Sequence, residues 1–343
     1  MTTVMETYAV FASRPMVFRL IFLTMIIGIA ACSGSDSIST SGAPVAVATS
    51  SEPPSLNGIV AGSEILVGDK RLPFSLFDFN GNLVEGADVE VEIYKLHQNG
   101  SLIPLGSAGA TFQEVRGIKR DHQHADGSNH GHQEVRGGYI IEGGPFTEAG
   151  IWEAHLSVSG SNVVGTEMAK LTFQVKEQST TFAIGDTPPR SLNLTARDVS
   201  DLEEITTLQP IVPGLYELTV AEALEGSKPF VVIFSTPAFC VTAMCGPVAD
   251  VAVRVYADYK DRVEFIHIEP WDLTTLRNEG KLEPTDITTE WRLPTEPWTF
   301  VVGKDNRIAA RWESLVTPEE LTAALDSALQ LNWTKTKTKG SLK

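Results

Sequence analysis

The chain has few cysteines and few basic residues for its length. Only three of its 343 residues are cysteine, and 27 Lys and Arg stand against 43 Asp and Glu, for a formal net charge of -16. A surface of this sign repels nucleic acid, and the one basic cluster is a short lysine-containing tail at residues 333–343. We therefore expect no nucleic-acid partner, and the cysteines become the main candidates for chemistry.

The apolar run near the N-terminus is too short to cross a bilayer comfortably. Residues Leu20–Ala31 form a run of about 12 residues behind two arginines, a length typical of the apolar core of a signal peptide. The run ends in Ile29-Ala30-Ala31-Cys32, which resembles a bacterial lipobox. That resemblance implies cleavage before Cys32, a lipid on Cys32, and an extracytoplasmic location in the bacterial cell envelope, anchored to a membrane. An ordinary signal peptide and an uncleaved anchor are the alternatives.

The first half of the remaining chain has the period-two pattern of β-strands. Val89, Val91 and Ile93 alternate with polar residues, as in an antiparallel sheet with one buried face, and Asn80-Gly81 is a strong hairpin-turn signal. About seven short strands separated by turn residues predict a β-sandwich. The turn and strand at residues 144–152 resemble those of immunoglobulin-like modules in bacterial envelope proteins, which implies an immunoglobulin-like sandwich.

The second half changes to an α/β pattern that surrounds the other two cysteines. A continuous apolar run at residues 228–234 is typical of a strand buried on both faces of a sheet. It leads into FSTPAFCVTAMCGP, which holds Cys240 and Cys245 and ends at Pro247, a residue suited to the first turn of a helix. The other predicted elements are strands at 215–220, 263–268, 298–302 and 307–311 and a last helix from Thr317.

These patterns predict a multidomain protein, with an all-β module followed by an α/β module. The chain that remains after the leader is long enough for two domains with separate cores. The predicted segments are a signal peptide at 1–31, a flexible tether at 32–58, the β-sandwich at 59–176, a linker at 177–213, the α/β domain at 214–332 and the basic tail at 333–343.

Residues 229–329 resemble the thioredoxin fold. Cys245-Gly246-Pro247 is similar to the active-site Cys-Gly-Pro-Cys of that family, and residues 297–308 are similar to its cis-proline strand and following turn. The last helix begins with a matching Thr-Pro-Glu-Glu-Leu. The resemblance implies a thioredoxin-like domain in which the loop of Glu296, Pro297 and Trp298 presents its backbone to a substrate chain.

The spacing of the cysteine pair departs from that family and leaves other chemistries open. Thioredoxins have two residues between their cysteines, whereas four separate Cys240 from Cys245, and Val248 stands where the second cysteine would be. The resemblance places Cys245 at a helix N-terminus, which lowers a thiol's pKa, in the attacking role with Cys240 resolving; the reverse order is the alternative. The spacing itself also resembles one group of peroxiredoxins, whose threonine is matched by Thr242 before Cys245 but has no counterpart before Cys240.

A histidine-rich insert lies inside the β-rich half. His122, His124, His130 and His132 fall within eleven residues, and imidazole pairs on one loop can close on a copper, zinc or nickel ion. The residues QEVRG occur on both sides of this insert, twenty positions apart, which is typical of a local duplication. Two interpretations follow, a copper-binding loop and an insertion tolerated between strands.

Three classes of function are compatible with these features. The first is a membrane-tethered thiol-disulfide oxidoreductase that uses Cys240 and Cys245 on protein thiols or disulfides, or with a membrane electron donor, and requires no cofactor. A peroxidase is a variant of this class. The second is a copper-binding metallochaperone of the envelope, in which thiolates and the histidine loop bind the metal. The third is a non-catalytic binding protein whose disulfide is structural.

Overall fold

The computed structural model of the protein describes residues 56–115, 137–161, 163–240 and 244–330. These residues all belong to one compact unit of the chain, residues 52–343. Cys32 and the four histidines of the insert lie outside the described residues, so their roles stay predictions. Within the described ranges, no helix combines the length and the apolar character needed to cross a membrane.

Eight strands of the β-rich half belong to one hydrogen-bonded sheet. They are β1 (Asn57–Val60), β2 (Ile65–Leu66), β3 (Arg71–Phe77), β4 (Asp88–Leu96), β5 (Leu102–Glu114), β6 (Gly137–Glu142), β7 (Gly150–Ser159) and β8 (Thr166–Lys176). Their order is β1-β3-β6-β5-β4-β7-β8-β2, and these neighbours are antiparallel except β8 and β2, which are parallel. The sheet curls so that its β1 edge reaches β8. Leu56, the residue before β1, donates its backbone N–H to Met168 O of β8 at 3.3 Å.

The predicted alternation is confirmed on β4. Val89, Val91 and Ile93 are buried, whereas the glutamates between them are exposed. Each buried side chain of this size stabilises the fold by about 1.5–3 kcal/mol, which sets the face that β4 turns inward. The all-β character predicted for residues 59–176 therefore holds for the described part of that range, where the strands form one curled sheet, and the immunoglobulin-like sandwich stays a prediction.

The predicted turn at Asn80-Gly81 is present, but the strands on either side of it separate at once. Gly81 has φ +80°, a left-handed conformation that favours glycine, and Asp78 Oδ1 accepts the backbone N–H of Asn80 at 2.8 Å. Beyond a single bridge between Phe77 and Leu83, β3 pairs with β1 and β6, while β4 pairs with β5 and β7. The turn thus redirects the chain across the sheet and closes no extended hairpin.

The α/β half contains a separate four-stranded sheet. The elements are α1 (Val220–Glu225), β9 (Phe230–Phe234), α2 (Cys245–Tyr259), β10 (Glu264–Ile268), α3 (Leu273–Glu279), α4 (Asp286–Glu290), β11 (Trp298–Val302), β12 (Ile308–Glu313) and α5 (Pro318–Gln330). The strand order is β10-β9-β11-β12, with β9 parallel to β10 and β11 antiparallel to both of its neighbours. The predicted succession of strand, helix and strand, then two strands and a helix, is confirmed, with α3 and α4 added after β10.

The strand predicted at residues 215–220 is wrong. A short 3-10 helix covers Pro213–Leu215, and α1 begins at Val220. The Thr219 hydroxyl accepts the backbone N–H of Glu222 at 3.0 Å, and the Glu222 carboxylate accepts the backbone N–H of Thr219 at 2.8 Å. This reciprocal capping box satisfies two N–H groups at the helix start, and it outweighs the local alternation of apolar residues.

The segment at 177–213, predicted to be a linker, packs on the four-stranded sheet. The buried Thr181 donates its hydroxyl to Trp291 O at 2.7 Å, and the buried Thr207 donates its backbone N–H to Glu269 Oε1 at 2.6 Å. Since both partners belong to the α/β half, this segment supplies part of the surroundings of that sheet.

Polar contacts join the two sheets close to β1. The Glu313 carboxylate at the end of β12 accepts the backbone N–H groups of Ser63 at 2.7 Å and Glu64 at 3.2 Å, and it also accepts the hydroxyl of Thr295. Glu64 in turn forms an ion pair with Arg311 of β12 at 3.1 Å. These contacts hold the loop after β1 against β12, and Glu313 also binds the segment that precedes β11.

Candidate redox site

Cys240 and Cys245 lie where the chain leaves β9 and turns into α2. The loop from Ser235 to Cys240 follows the buried strand, and Cys245 is the first residue of α2; residues 241–243 lie outside the described ranges. Cys245 is fully buried and Cys240 is half-buried, and both cysteines are in the reduced form. Pro247 is the third residue of α2, as the sequence predicted for the first helical turn.

The two sulfurs are close enough to form a disulfide after a small movement. The backbone N–H of Cys245 donates to Cys240 Sγ at 3.1 Å. The two sulfurs and a carboxylate oxygen of Glu296 all lie within 4.8 Å of one another. Because a disulfide bond is about 2.05 Å long, side-chain rotation with a small shift of the loop joins the sulfurs. The arrangement is therefore suited to alternate between dithiol and disulfide.

The two thiols have different electrostatic surroundings. Burial raises the pKa of Cys245 well above its ordinary value, and the adjacent Cys240 and the charge of Glu296 raise it further, while a backbone hydrogen bond from Thr236 acts in the opposite direction. The first amide of α2 donates to the sulfur of Cys240, where an N–H donor favours the thiolate. The lowered pKa predicted for Cys245 is thus corrected, and Cys245 is the protonated member of the pair.

Glu296 lies beside the sulfurs, and its carboxylate is held in place. It is 4 % exposed, and its peptide bond to Pro297 is cis. Its Oε2 accepts the indole N–H of Trp271 at 2.8 Å. Trp298, the third residue of the predicted substrate loop, is buried with its ring stacked on Phe300 at 5.6 Å between centroids. Of the three residues of the predicted substrate loop, Glu296 is therefore the one whose side chain lies next to Cys240 and Cys245.

A buried carboxyl is connected to the loop that carries Cys240. Glu269 follows β10 and is 6 % exposed, and burial raises its pKa to about 7. Its Oε1 accepts the backbone N–H and the hydroxyl of Thr207 at 2.6 and 2.7 Å, and Thr207 Oγ1 accepts the backbone N–H of Ala238 at 3.1 Å. Sequence reasoning missed Glu269; the signal that could have identified it is a glutamate directly after a buried apolar strand.

An apolar cavity of about 400 Å³ lies beside the pair. Ile59 of β1 and Phe77 of β3 line it together with Met244, Thr295 and Glu296. Met244 is the residue before the buried cysteine, and Ile59 is 56 % exposed. The curled sheet thus contributes apolar side chains to the surroundings of the redox pair, a contribution that the sequence pattern did not indicate.

Comparison with solved structures finds chains that are similar to part of this one. No family model matches the chain, and the search of curated proteins found no match. A solved structure described as "Crystal structure of Trgpx in apo form" is similar to this chain at 14 % sequence identity and a TM-score of 0.24. The similarity covers 35 % of this chain and 93 % of that chain.

Proposed function

We propose that the protein is a thiol-disulfide oxidoreductase with a thioredoxin-like catalytic domain, in which Cys240 and Cys245 cycle between dithiol and disulfide. The observation that carries the proposal is the hydrogen bond from the Cys245 amide to the half-buried Cys240 sulfur at the start of α2. This contact favours a thiolate on the sulfur that a partner can reach, and it keeps the second thiol within reach of the first. A lipid on Cys32 tethers the enzyme outside the cytoplasm, in the bacterial cell envelope.

Cys240 is the attacking residue in this mechanism, in the reverse of the order that the thioredoxin resemblance favoured. Its thiolate attacks one sulfur of a client disulfide, forms a mixed disulfide and releases the other client sulfur as a thiolate. Cys245 then gives its proton to the released thiolate and attacks Cys240 Sγ, which breaks the mixed disulfide and releases the second client sulfur as a thiolate. The products are the Cys240–Cys245 disulfide and the reduced client, with one sulfur as a thiol and the other as a thiolate that takes a proton from water, so two electrons pass from the protein to the client. The opposite direction runs through the same mixed disulfide.

The client in this proposal is a protein segment rather than a small thiol. The cavity lined by Ile59, Phe77 and Met244 is apolar and large enough for one apolar side chain of a client that lies across Cys240. A small thiol such as glutathione offers no apolar side chain for it. The β-rich half thus serves as a client-binding module next to the redox pair.

Trapping of the mixed disulfide tests this proposal. In the Cys245→Ser variant the second step is removed, so a peptide with one disulfide should remain bound to Cys240 and be detected by mass spectrometry. The matched Cys240→Ser variant should trap far less, because its remaining thiol is buried and protonated. Equal trapping by both variants, or by neither, would contradict the proposal.

A structural disulfide is the competing interpretation of the same residues. A structural bridge that resists reduction has a potential below about -300 mV and two unreactive sulfurs. The half-buried position of Cys240 and the amide directed at its sulfur favour a reactive pair instead.

A further inference from the structure

We propose that the reduced pair and Glu296 form a binding site for one thiophilic divalent cation of the Zn²⁺ type. The site consists of Cys240 Sγ, Cys245 Sγ and a carboxylate oxygen of Glu296, which all lie within 4.8 Å of one another. It goes beyond the proposed exchange reaction, because it is a second use of the same sulfurs that exists only while both are reduced.

The distances between the donor atoms are close to those of a zinc site. With Zn–S bonds of about 2.3 Å and Zn–O bonds of about 2.1 Å, tetrahedral ligands lie about 3.6–3.8 Å apart. Since the donor atoms lie within 4.8 Å of one another, each pair has to approach by no more than about 1.2 Å. Cys245 is the first residue of α2, which fixes its backbone.

The surroundings of Glu296 are those of a metal ligand rather than of a solvated carboxylate. The side chain is almost wholly buried, and the indole N–H of Trp271 binds Oε2, which fixes the orientation of the carboxylate. Such a hydrogen bond to a ligand is the usual outer support of metal sites in proteins. The half-buried Cys240 leaves an approach for the ion and a fourth position for water.

The set of donor atoms also selects the class of ion. Two thiolates and one carboxylate suit Zn²⁺ or Cd²⁺, whereas Mg²⁺ and Ca²⁺ require oxygen ligands. Cu⁺ is satisfied by the two thiolates alone and would not need Glu296. Dependence on Glu296 thus separates this proposal from the copper site suggested by the sequence.

Metal binding and disulfide formation exclude each other at this site. Binding converts two thiols to two metal-bound thiolates and releases two protons, while oxidation joins the same sulfurs to each other and removes both ligands. The cation therefore stabilises the dithiol and raises the reduction potential of the pair. If the Zn²⁺ concentration is about 100 times the dissociation constant, the equilibrium between disulfide and dithiol shifts about 100-fold toward the dithiol. This shift raises the reduction potential of the two-electron couple by about 60 mV.

The test is Zn²⁺ binding by the full chain, measured by competition with a chromophoric chelator. The reduced protein should bind one Zn²⁺ through the pair, and Co²⁺ in its place should show a thiolate charge-transfer band. Glu296→Gln keeps an acceptor for Trp271 and should weaken binding by about tenfold or more. Glu203→Gln, at an exposed position, should leave binding unchanged.

The same experiment distinguishes the site from its competitors. Zn²⁺ held by the histidine insert would persist after oxidation and in Cys240→Ser, and would give no thiolate band. Absence of binding through the pair, or unchanged affinity in Glu296→Gln with the native fold confirmed by circular dichroism, overturns the proposal. Cu⁺ binding that is independent of Glu296, without Zn²⁺ binding, does so as well. Disulfide exchange measured with a chelator present shows separately whether the proposed redox function stands.

Discussion

The backbone N–H of Cys245 points at the sulfur of Cys240, 3.1 Å away, at the first turn of α2. The helix N-terminus therefore acts on the cysteine that lies outside the helix, and the cysteine inside it is buried. In the proposed mechanism this contact assigns the two roles, with the half-buried Cys240 as the attacking residue and the buried Cys245 as the resolving one.

The first prediction concerns which cysteine is alkylated. With iodoacetamide near pH 7, Cys240 should react at least about tenfold faster than Cys245, because burial shields the Cys245 sulfur and raises its pKa. Peptide mapping after short exposure of the reduced protein measures both rates. Urea-unfolded protein is the control, in which the two rates should converge. Faster labelling of Cys245 in the native protein would reverse the assignment.

The second prediction concerns pH and Glu269. Its pKa is raised from 4.5 to about 7 in the folded protein, so the stability it contributes is fully present below about pH 4.5 and is lost as the pH rises through about 7. The raised pKa corresponds to about 3 kcal/mol. Glu269→Gln should therefore remove that much of the fall in unfolding free energy between about pH 4.5 and pH 8, measured by urea denaturation under reducing conditions. A wild-type curve parallel to that of the variant would show that Glu269 titrates normally.

The third prediction concerns the apolar cavity beside the pair. Ile59→Asp should raise the KM for a disulfide-containing peptide with an apolar residue next to its cysteine by about tenfold, the loss expected from one apolar contact. Reduction of the small disulfide of oxidised glutathione should not change. Val164→Asp, at a position 89 % exposed, is the matched control. An unchanged KM in Ile59→Asp would show that the β-rich half does not contribute to client binding, which contradicts the prediction.

The fourth prediction concerns the ion pair that joins the two sheets. Burial raises the pKa of Glu64, but hydrogen bonds from Ser179 and Thr180 and the charge of Arg311 outweigh it, so the pKa is lowered overall. Arg311→Met leaves the carboxylate of Glu64 buried without its cation and should cost about 3–5 kcal/mol of unfolding free energy. The matched change Arg190→Met removes an exposed pair with Glu225 and should cost less than about 1 kcal/mol. A similar loss of unfolding free energy in both variants would show that the charge of Glu64 is compensated without Arg311, which contradicts the prediction.

The elements that were predicted correctly are those whose burial pattern is complete within a few consecutive residues. The alternation around Val91 and the apolar run of β9 each determine burial within a few residues, so both were predictable. The cysteine pair at the start of a helix was predictable for the same reason. The strand predicted at 215–220 is wrong, because the apolar alternation in this segment is typical of a strand but the capping box of Thr219 and Glu222 starts a helix there.

Contacts across long sequence separations were not predictable from the pattern. Thr207 belongs to a segment whose composition predicts a linker, yet it donates a hydrogen bond to Glu269. Ile59 belongs to the β-rich half, yet it lines the same cavity as Met244. The hydrogen bond from the Cys245 amide depends on where Cys240 lies relative to the start of α2, which sequence spacing does not determine. Each of these contacts arises from tertiary packing.

The most direct test of the central claim is the reduction potential of the Cys240–Cys245 pair in the full chain. It would be titrated against glutathione and dithiothreitol with a metal chelator present. A catalytic pair should give a potential above about -250 mV, with Cys240 the more reactive thiol after reduction. A potential below about -300 mV with two unreactive thiols would mean a structural disulfide and would contradict the proposed function.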